Sequence, residues 1–180
     1  MMEKYLIEGC KKRERKAQKE LYEMYSRKMM GVCLRYVGDR ETARDLLQEG
    51  FVRVFTSIDS YSEKGSFEGW LHKIFVNCAL EYLRQSDVLR EAVEYDYSVE
   101  QIVFDDLIIS EISASELLRL VQELPNGLRA VFNLFAIEGY SHKEIAEMLR
   151  VTESTSRSQY VRAKQLLQRR INELYELKRV

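Results

Sequence analysis

Residues 139–170 read GYSHKEIAEMLRVTESTSRSQYVRAKQLLQRR, and their spacing predicts a short helix, a tight turn and a longer helix. Ser141 suits the N-cap of the first helix, and Glu144 three residues on completes a capping box. Ile145, Ala146 and Leu149 then share one helical face. After Arg150-Val151, Thr152 suits the N-cap of the second helix, whose first turns carry Ser154, Thr155, Ser156, Arg157, Ser158 and Gln159. Hydroxyls, an amide and a guanidinium at a helix start match the donors and acceptors of a DNA major groove. An ordinary solvated helical hairpin carries the same features. The rest of the chain has to choose between the two.

The 180 residues suffice for one sizeable core or two small ones, and 46% apolar content marks a folded chain. One proline and scattered glycines favour helices. The net charge of −1 argues at face value against a nucleic-acid binder, but it is a sum of unlike parts. Residues 91–116 hold eight acidic side chains and no basic one, while 1–90 carry a net +3 and 117–180 a net +4. Cys10, Cys33 and Cys78 are widely spaced and far in sequence from His72 and His142, so neither zinc nor a disulfide framework is expected. No signal-like segment and no membrane-length apolar run appears, so a soluble, cytoplasmic protein is expected.

Upstream, residues 1–19 are poor in apolar positions and carry KKRERK at 11–16, either a solvated helix face or a basic arm. From Ala17, the positions Leu21, Tyr22, Tyr25, Met29, Val32, Cys33 and Tyr36 predict an amphipathic helix stopped at Gly38-Asp39. A second helix is predicted from about Arg40 to Ile58, with Ala43, Leu47, Gly50, Val54 and Ile58 facing the core. Asp45, Gln48, Glu49 and Val52 fall on another face, which the residues by themselves read as a solvated stripe. DSYSEKGS at 59–66 is a turn-rich loop. Phe67, Trp70, Leu71, Ile74, Phe75, Cys78, Leu80 and Leu83 then mark a third helix, with Asn77, Glu81 and Arg84 on its polar side. Trp70 reads as a core anchor and His72 as a surface residue.

Residues 86–114 lose helical rhythm and read as a tether, with a short helix expected around Glu100–Ile109. Periodicity returns at Ser115 through Leu117, Leu120, Val121 and Leu124, and Pro125-Asn126-Gly127 stops it. A further helix from Leu128 to Glu138 buries Val131, Phe132, Leu134 and Phe135; the final helix continues through Ala163, Leu166, Leu167, Ile171 and Leu174. No phosphate loop, HExxH, CxxC or nucleophile–base pairing appears, so no catalytic residue, metal site or cofactor is expected.

Three motifs in order resemble the extracytoplasmic-function (ECF) sigma factors of the sigma-70 superfamily. DLLQEGFVRVF at 45–55 is similar to the core-polymerase-binding signature, and FEGWLHKIFVNCALEYLR at 67–84 to the family's next helix. LPNGLRAVFNLFAIEGYSHKEIAEMLRVTESTSRSQYVRAKQLL at 124–167 looks like the family's promoter-reading domain. The resemblance implies an all-α chain of two small helical domains. A region 2 bundle at 1–88 would serve polymerase binding and −10 recognition and melting. An acidic linker at 89–114 would join it to a region 4 helix-turn-helix domain at 115–180, for the −35 element.

It implies that Asp45, Gln48, Glu49, Phe51 and Val52 bind core RNA polymerase. Ser62, Lys64, Ser66, Asn77 and Arg84 would hold single-stranded −10 DNA. Thr152, Ser154, Thr155, Arg157, Ser158, Gln159, Arg162 and Lys164 would meet the −35 duplex, with Arg157 and Gln159 near base edges and Arg162 and Lys164 nearer phosphates. The implied partners are core RNA polymerase, promoter DNA and an anti-sigma factor, which can hold the protein at a membrane without inserting it. The acidic linker suits either a basic nucleic-acid channel or simple solubility. The sequence departs from the family at Arg150, where glycine is frequent, at Ser154 and Ser156, which replace a glycine and an apolar residue, and at Glu81 for aspartate. A helix-turn-helix regulator with a dimerising or ligand-binding N-terminal domain is the alternative. A helical adaptor without a DNA role is a second.

Overall fold

The structure, a computed structural model, describes residues 2–85 and 113–178. The expected helix at 100–109 and nearly all of the acidic tether lie outside the described residues. The described residues contain helices and no strand. The chain forms two units, Met1–Glu81 and Tyr82–Val180.

The first unit begins with a helix that apolar counting underrates. α1 (Met2–Lys11) buries Leu6, Ile7 and Cys10, although residues 1–19 read as apolar-poor. Three well-placed apolar side chains suffice because α1 needs to cover only one stripe of its neighbour. The chain reverses at Lys12–Glu14 with Arg13 left-handed (φ 62°), and α2 (Arg15–Val37) runs on to Gly38. The basic run 11–16 is thus a turn between helices. The Arg13 guanidinium donates to the Phe55 carbonyl and pairs with Asp59 at 2.7 Å.

α2 ends where the Gly-Asp signal predicts. Gly38 takes φ 79°, which strains any residue with a Cβ, and its N–H returns to the Leu34 carbonyl. Asp39 caps α3 (Arg40–Ser57) by accepting from the Thr42 N–H at 2.8 Å. Ala43, Leu47, Gly50, Val54 and Ile58 are all buried, as their spacing predicts. A 3-10 turn (Ile58–Ser60) and the loop to Ser66 lead into α4 (Phe67–Gln85). Gly50 has a steric reason that periodicity cannot supply. A Cβ there would sit 2.1 Å from Cε1 of Phe75 on α4, and that ring is fully buried. Phe75 also meets Phe51 edge-on at 5.3 Å, so α3 and α4 interlock through an aromatic ring seated on a glycine.

In the second unit α5 (Ala114–Gln122) starts one residue earlier than its apolar spacing indicates, because Ser113 and Glu116 form a capping box. α6 (Asn126–Phe132) continues as a π-turn over Asn133–Ile137, and Gly139 (φ 79°) closes it. α7 (His142–Leu149) and α8 (Glu153–Lys178) complete the unit. Leu120, Val121, Leu124 and Leu128 pack with Ala163, Leu167 and Ile171 of α8, flanked by Phe132 and Leu166. The long α8 is therefore core along one stripe and free to carry chemistry on the other.

Candidate nucleic-acid and polymerase interfaces

On α3 the inner and outer faces separate cleanly. Asp45, Gln48 and Glu49 are exposed, and Val52 is 62% exposed. Phe51, expected with them, points inward at 3% exposure among Tyr22, Phe55 and Phe75. It lies one residue from Val52, hence about 100° around the helix, and buttresses the outer face from beneath. Tyr22, half-lifted out of the core at 4.7 Å from the Phe51 ring, adds apolar surface beside it. The acidic end is tied in place. Arg53 pairs with Glu49 one turn back and with Glu81 of α4 at 2.7 Å. The Glu81 bond, opposed by burial and aided by Glu49, holds the Arg53 guanidinium above its already high range. Glutamate in place of aspartate at 81 supplies reach for this bridge between helices.

The loop before α4 is braced from inside and outside. The Tyr61 hydroxyl donates to the Gly65 carbonyl at 2.8 Å, and the rings of Tyr61, Phe67 and Trp70 stand within 5.5 Å of one another. Trp70 is only half-buried, so it anchors the edge of the core rather than its centre. Lys4 pairs with Glu63 at 3.6 Å. Ser62 and Lys64 are exposed, and Ser66 spends its oxygen on the Gly69 N–H as the cap of α4. Asn77 is exposed ten residues along α4, about 15 Å away at 1.5 Å per residue. Arg84 is half-buried two turns further. The loop residues and the helix residues form an extended track, not one pocket.

The hairpin α7–α8 matches its sequence reading closely. Ser141 and Glu144 make the capping box, which also holds the Glu144 carboxylate below its usual range, chiefly through the Ser141 hydroxyl. Arg150 adopts φ 57°, ψ 43°, so the turn keeps the left-handed geometry that glycine favours. Thr152 caps α8: its Oγ1 accepts from the Thr155 N–H at 3.1 Å and lies 2.9 Å from the Ser154 hydroxyl. Ser154, Arg157 and Ser158 are exposed, Thr155, Arg162 and Lys164 half-buried. Arg157 pairs with Glu153, and Lys164 lies over the Tyr160 ring at 5.2 Å. Gln159, expected near base edges, faces the interior. It is 5% exposed, because positions 156, 159, 163 and 167 form the stripe that packs inward.

Two residues that the sequence reading passed over belong to this face. Val161 is 47% exposed in line with Arg157 and Ser158; an apolar residue out of phase with the interior stripe was its signal. His142 Nδ1 lies 2.9 Å from the Ser156 hydroxyl, with its ring stacked on Phe135 at 4.3 Å. Its signal was a polar residue, Ser156, at an interior position. Burial, then the nearby Arg157, pushes the imidazole pKa below its ordinary value.

All three cysteines are buried, burial pushes the Cys10 and Cys78 thiols up to about 11 and the Cys33 thiol to about 12, and the described residues hold no metal-binding cluster. No helix among them is long and apolar enough to cross a membrane.

The family model of sigma-70 region 2 matches residues 21–88, and that of sigma-70 region 4 matches 114–167. Over 181 aligned residues the chain is 33% identical to the ECF RNA polymerase sigma-E factor of Haemophilus influenzae, spanning 94% of this chain and 95% of that one. The chain belongs to the extracytoplasmic-function sigma factors. Other relatives include SigE of Mycolicibacterium smegmatis, 35% identical over 82% of this chain and 59% of its own, and SigW of Bacillus subtilis, 27% identical over 97% of this chain. Among solved structures, CnrH in complex with the cytosolic domain of CnrY superposes with a TM-score of 0.51 at 17% identity, covering 96% of this chain and 99% of that one, a likeness of fold. The faces described above are therefore the surfaces of an alternative sigma factor.

Proposed function

We propose that this sigma factor uses three separate surfaces to bring core RNA polymerase to a promoter, with no catalytic chemistry of its own. The domain limits are 1–88 for polymerase and the −10 element, 89–114 for the linker and 115–180 for the −35 element. The observation that carries the reading is the outer face of α3, where Asp45, Gln48, Glu49 and Val52 are all exposed on a helix locked from behind by Phe51 and by the Arg53–Glu81 bridge. Acids and an amide around an apolar centre suit a basic, partly apolar partner, and a rigid helix presents them at little ordering cost. Ser62 and Lys64 hold the extruded −10 strand, with Ser66, Asn77 and Arg84 continuing the track. Ser154, Thr155, Arg157 and Ser158 read the −35 duplex while Thr152, Arg162 and Lys164 serve phosphates.

The protein works in the cytoplasm, and an anti-sigma partner controls it. CnrH, a structure of the same fold, is itself in complex with the cytosolic domain of CnrY. A stand-alone helix-turn-helix regulator is less well supported, because the α3 motif and the α4 motif precede the hairpin in the family's order. Alanine at Asp45, Gln48 and Glu49 together should weaken capture of purified core polymerase by tenfold or so, a loss consistent with a polar face around one apolar contact. The helical content should stay unchanged. Wild-type capture by the triple variant would end the assignment of this face.

A further inference from the structure

Ser156 is a polar residue at an interior position, and the fold answers it with a single partner. Its side chain is fully buried at the start of α8, and its hydroxyl lies 2.9 Å from His142 Nδ1 on α7. A buried hydroxyl is costly unless hydrogen-bonded, and an apolar side chain at 156 would fill the space without needing a partner. The imidazole is itself held. It stacks on Phe135 with 13° between the planes and stands 5.8 Å from the Tyr160 ring of α8. His142 follows the Ser141 cap directly, so its backbone is fixed by the capping box.

We infer that His142 is a positioning residue for duplex recognition: through Ser156 it sets the rotation of α8 about its own axis, and so which side chains meet the bases. The apolar stripe of Ala163, Leu167 and Ile171 sets which face of α8 turns inward, and a directional hydrogen bond from a stacked ring refines that setting at the helix start. The magnitude matters. Side-chain tips lie roughly 5–6 Å from the helix axis, so a turn of about 20° carries them about 2 Å, more than a base-edge hydrogen bond tolerates. Ser154, Arg157, Ser158 and Val161 are among the exposed side chains that this rotation would move. Arg157 and Glu153, paired with each other on α8, are charged groups whose fields reach the imidazole. The inference rests on α8 being the duplex-reading helix.

The test is sequence selection by holoenzyme, assembled from the full chain and core polymerase. The duplexes are randomised over the upstream element above a constant downstream element. Selectivity is then the affinity for the selected duplex relative to a scrambled one. His142→Ala and Ser156→Ala should each lose about three- to tenfold in selectivity, the worth of one buried hydrogen bond. The double variant should lose no more than either single. His142→Asn, whose amide can stand in for Nδ1, should stay closer to wild type than His142→Ala. Capture of core polymerase and helical content serve as fold controls. If His142→Ala fails them, Ser156→Ala compared with His142→Asn decides. Losses that multiply in the double variant, or His142→Asn behaving as His142→Ala, would overturn the pairing. Arg157→Ala and Ser158→Ala separate the two levels. If they lose selectivity while the pair variants keep it, the positioning role is wrong and α8 still reads DNA. If they also keep it, the duplex-reading assignment fails, and the positioning role with it.

Discussion

Single side chains here owe their properties to neighbours that lie far off in sequence. His142 illustrates it: its ring is 14 residues from Ser156 and Arg157 sits beside it, so the folded chain takes up a proton there less readily than the unfolded chain does. The sign follows from linkage. With a folded pKa below the ordinary 6.5, stability is highest above that pH and falls as pH drops toward the folded value. Glu144, held below its ordinary 4.5 by the Ser141 cap, contributes stability that is present above 4.5 and lost as pH falls through its folded pKa. Acid should therefore loosen the full chain in two stages. His142→Asn should flatten only the upper one, read as the change of thermal midpoint between pH 7.5 and 5.5, a span about one unit either side of the free imidazole pKa. Equal pH slopes for the variant and the wild type would count against the histidine.

At the scale of helices, local signals marked most ends and none of the crossings. The capping box at Ser141, the Gly38 stop, and the Asp39 and Thr152 caps all act within four residues, so each leaves a trace in sequence. α1 left little trace, because Leu6, Ile7 and Cys10 have a partner only once the chain has reversed at Arg13. Gly50 is the sharpest case. Its interior position was legible, but its need for a hydrogen in place of a methyl comes from Phe75, 25 residues away. Gly50→Ala should destabilise the first domain by about 1–3 kcal/mol through overpacking, partly offset by alanine's better helix propensity. A chemical denaturation midpoint unchanged or raised would show that the ring can retreat.

For the molecule as a whole, the net charge of −1 conceals its working surfaces. Much of the basic charge of residues 117–180, Arg162 and Lys164 included, lies on α8, the helix proposed to read the duplex. Their effect should appear in salt dependence rather than in total charge. Arg162→Ala and Lys164→Ala should each flatten the log–log slope of holoenzyme–duplex affinity against salt by about one unit, with selectivity preserved. Ser154→Ala should do the reverse, keeping the slope and changing the preferred bases. Fluorescence anisotropy across a salt series distinguishes these patterns, and an unchanged slope in both cation variants would remove the phosphate role.

The sequence alone determined the helical class, most helix ends, the inner and outer faces of α3 apart from Phe51, and the three motifs of the family. Each of these depends on spacings of three and four residues or on a contiguous motif. Tertiary structure alone decided that Phe51 and Gln159 face inward, that Glu81 bridges to Arg53 and that Ser156 is answered by His142. A helical residue near the boundary of a stripe is turned in or out by what packs against it, and that neighbour comes from a distant part of the chain.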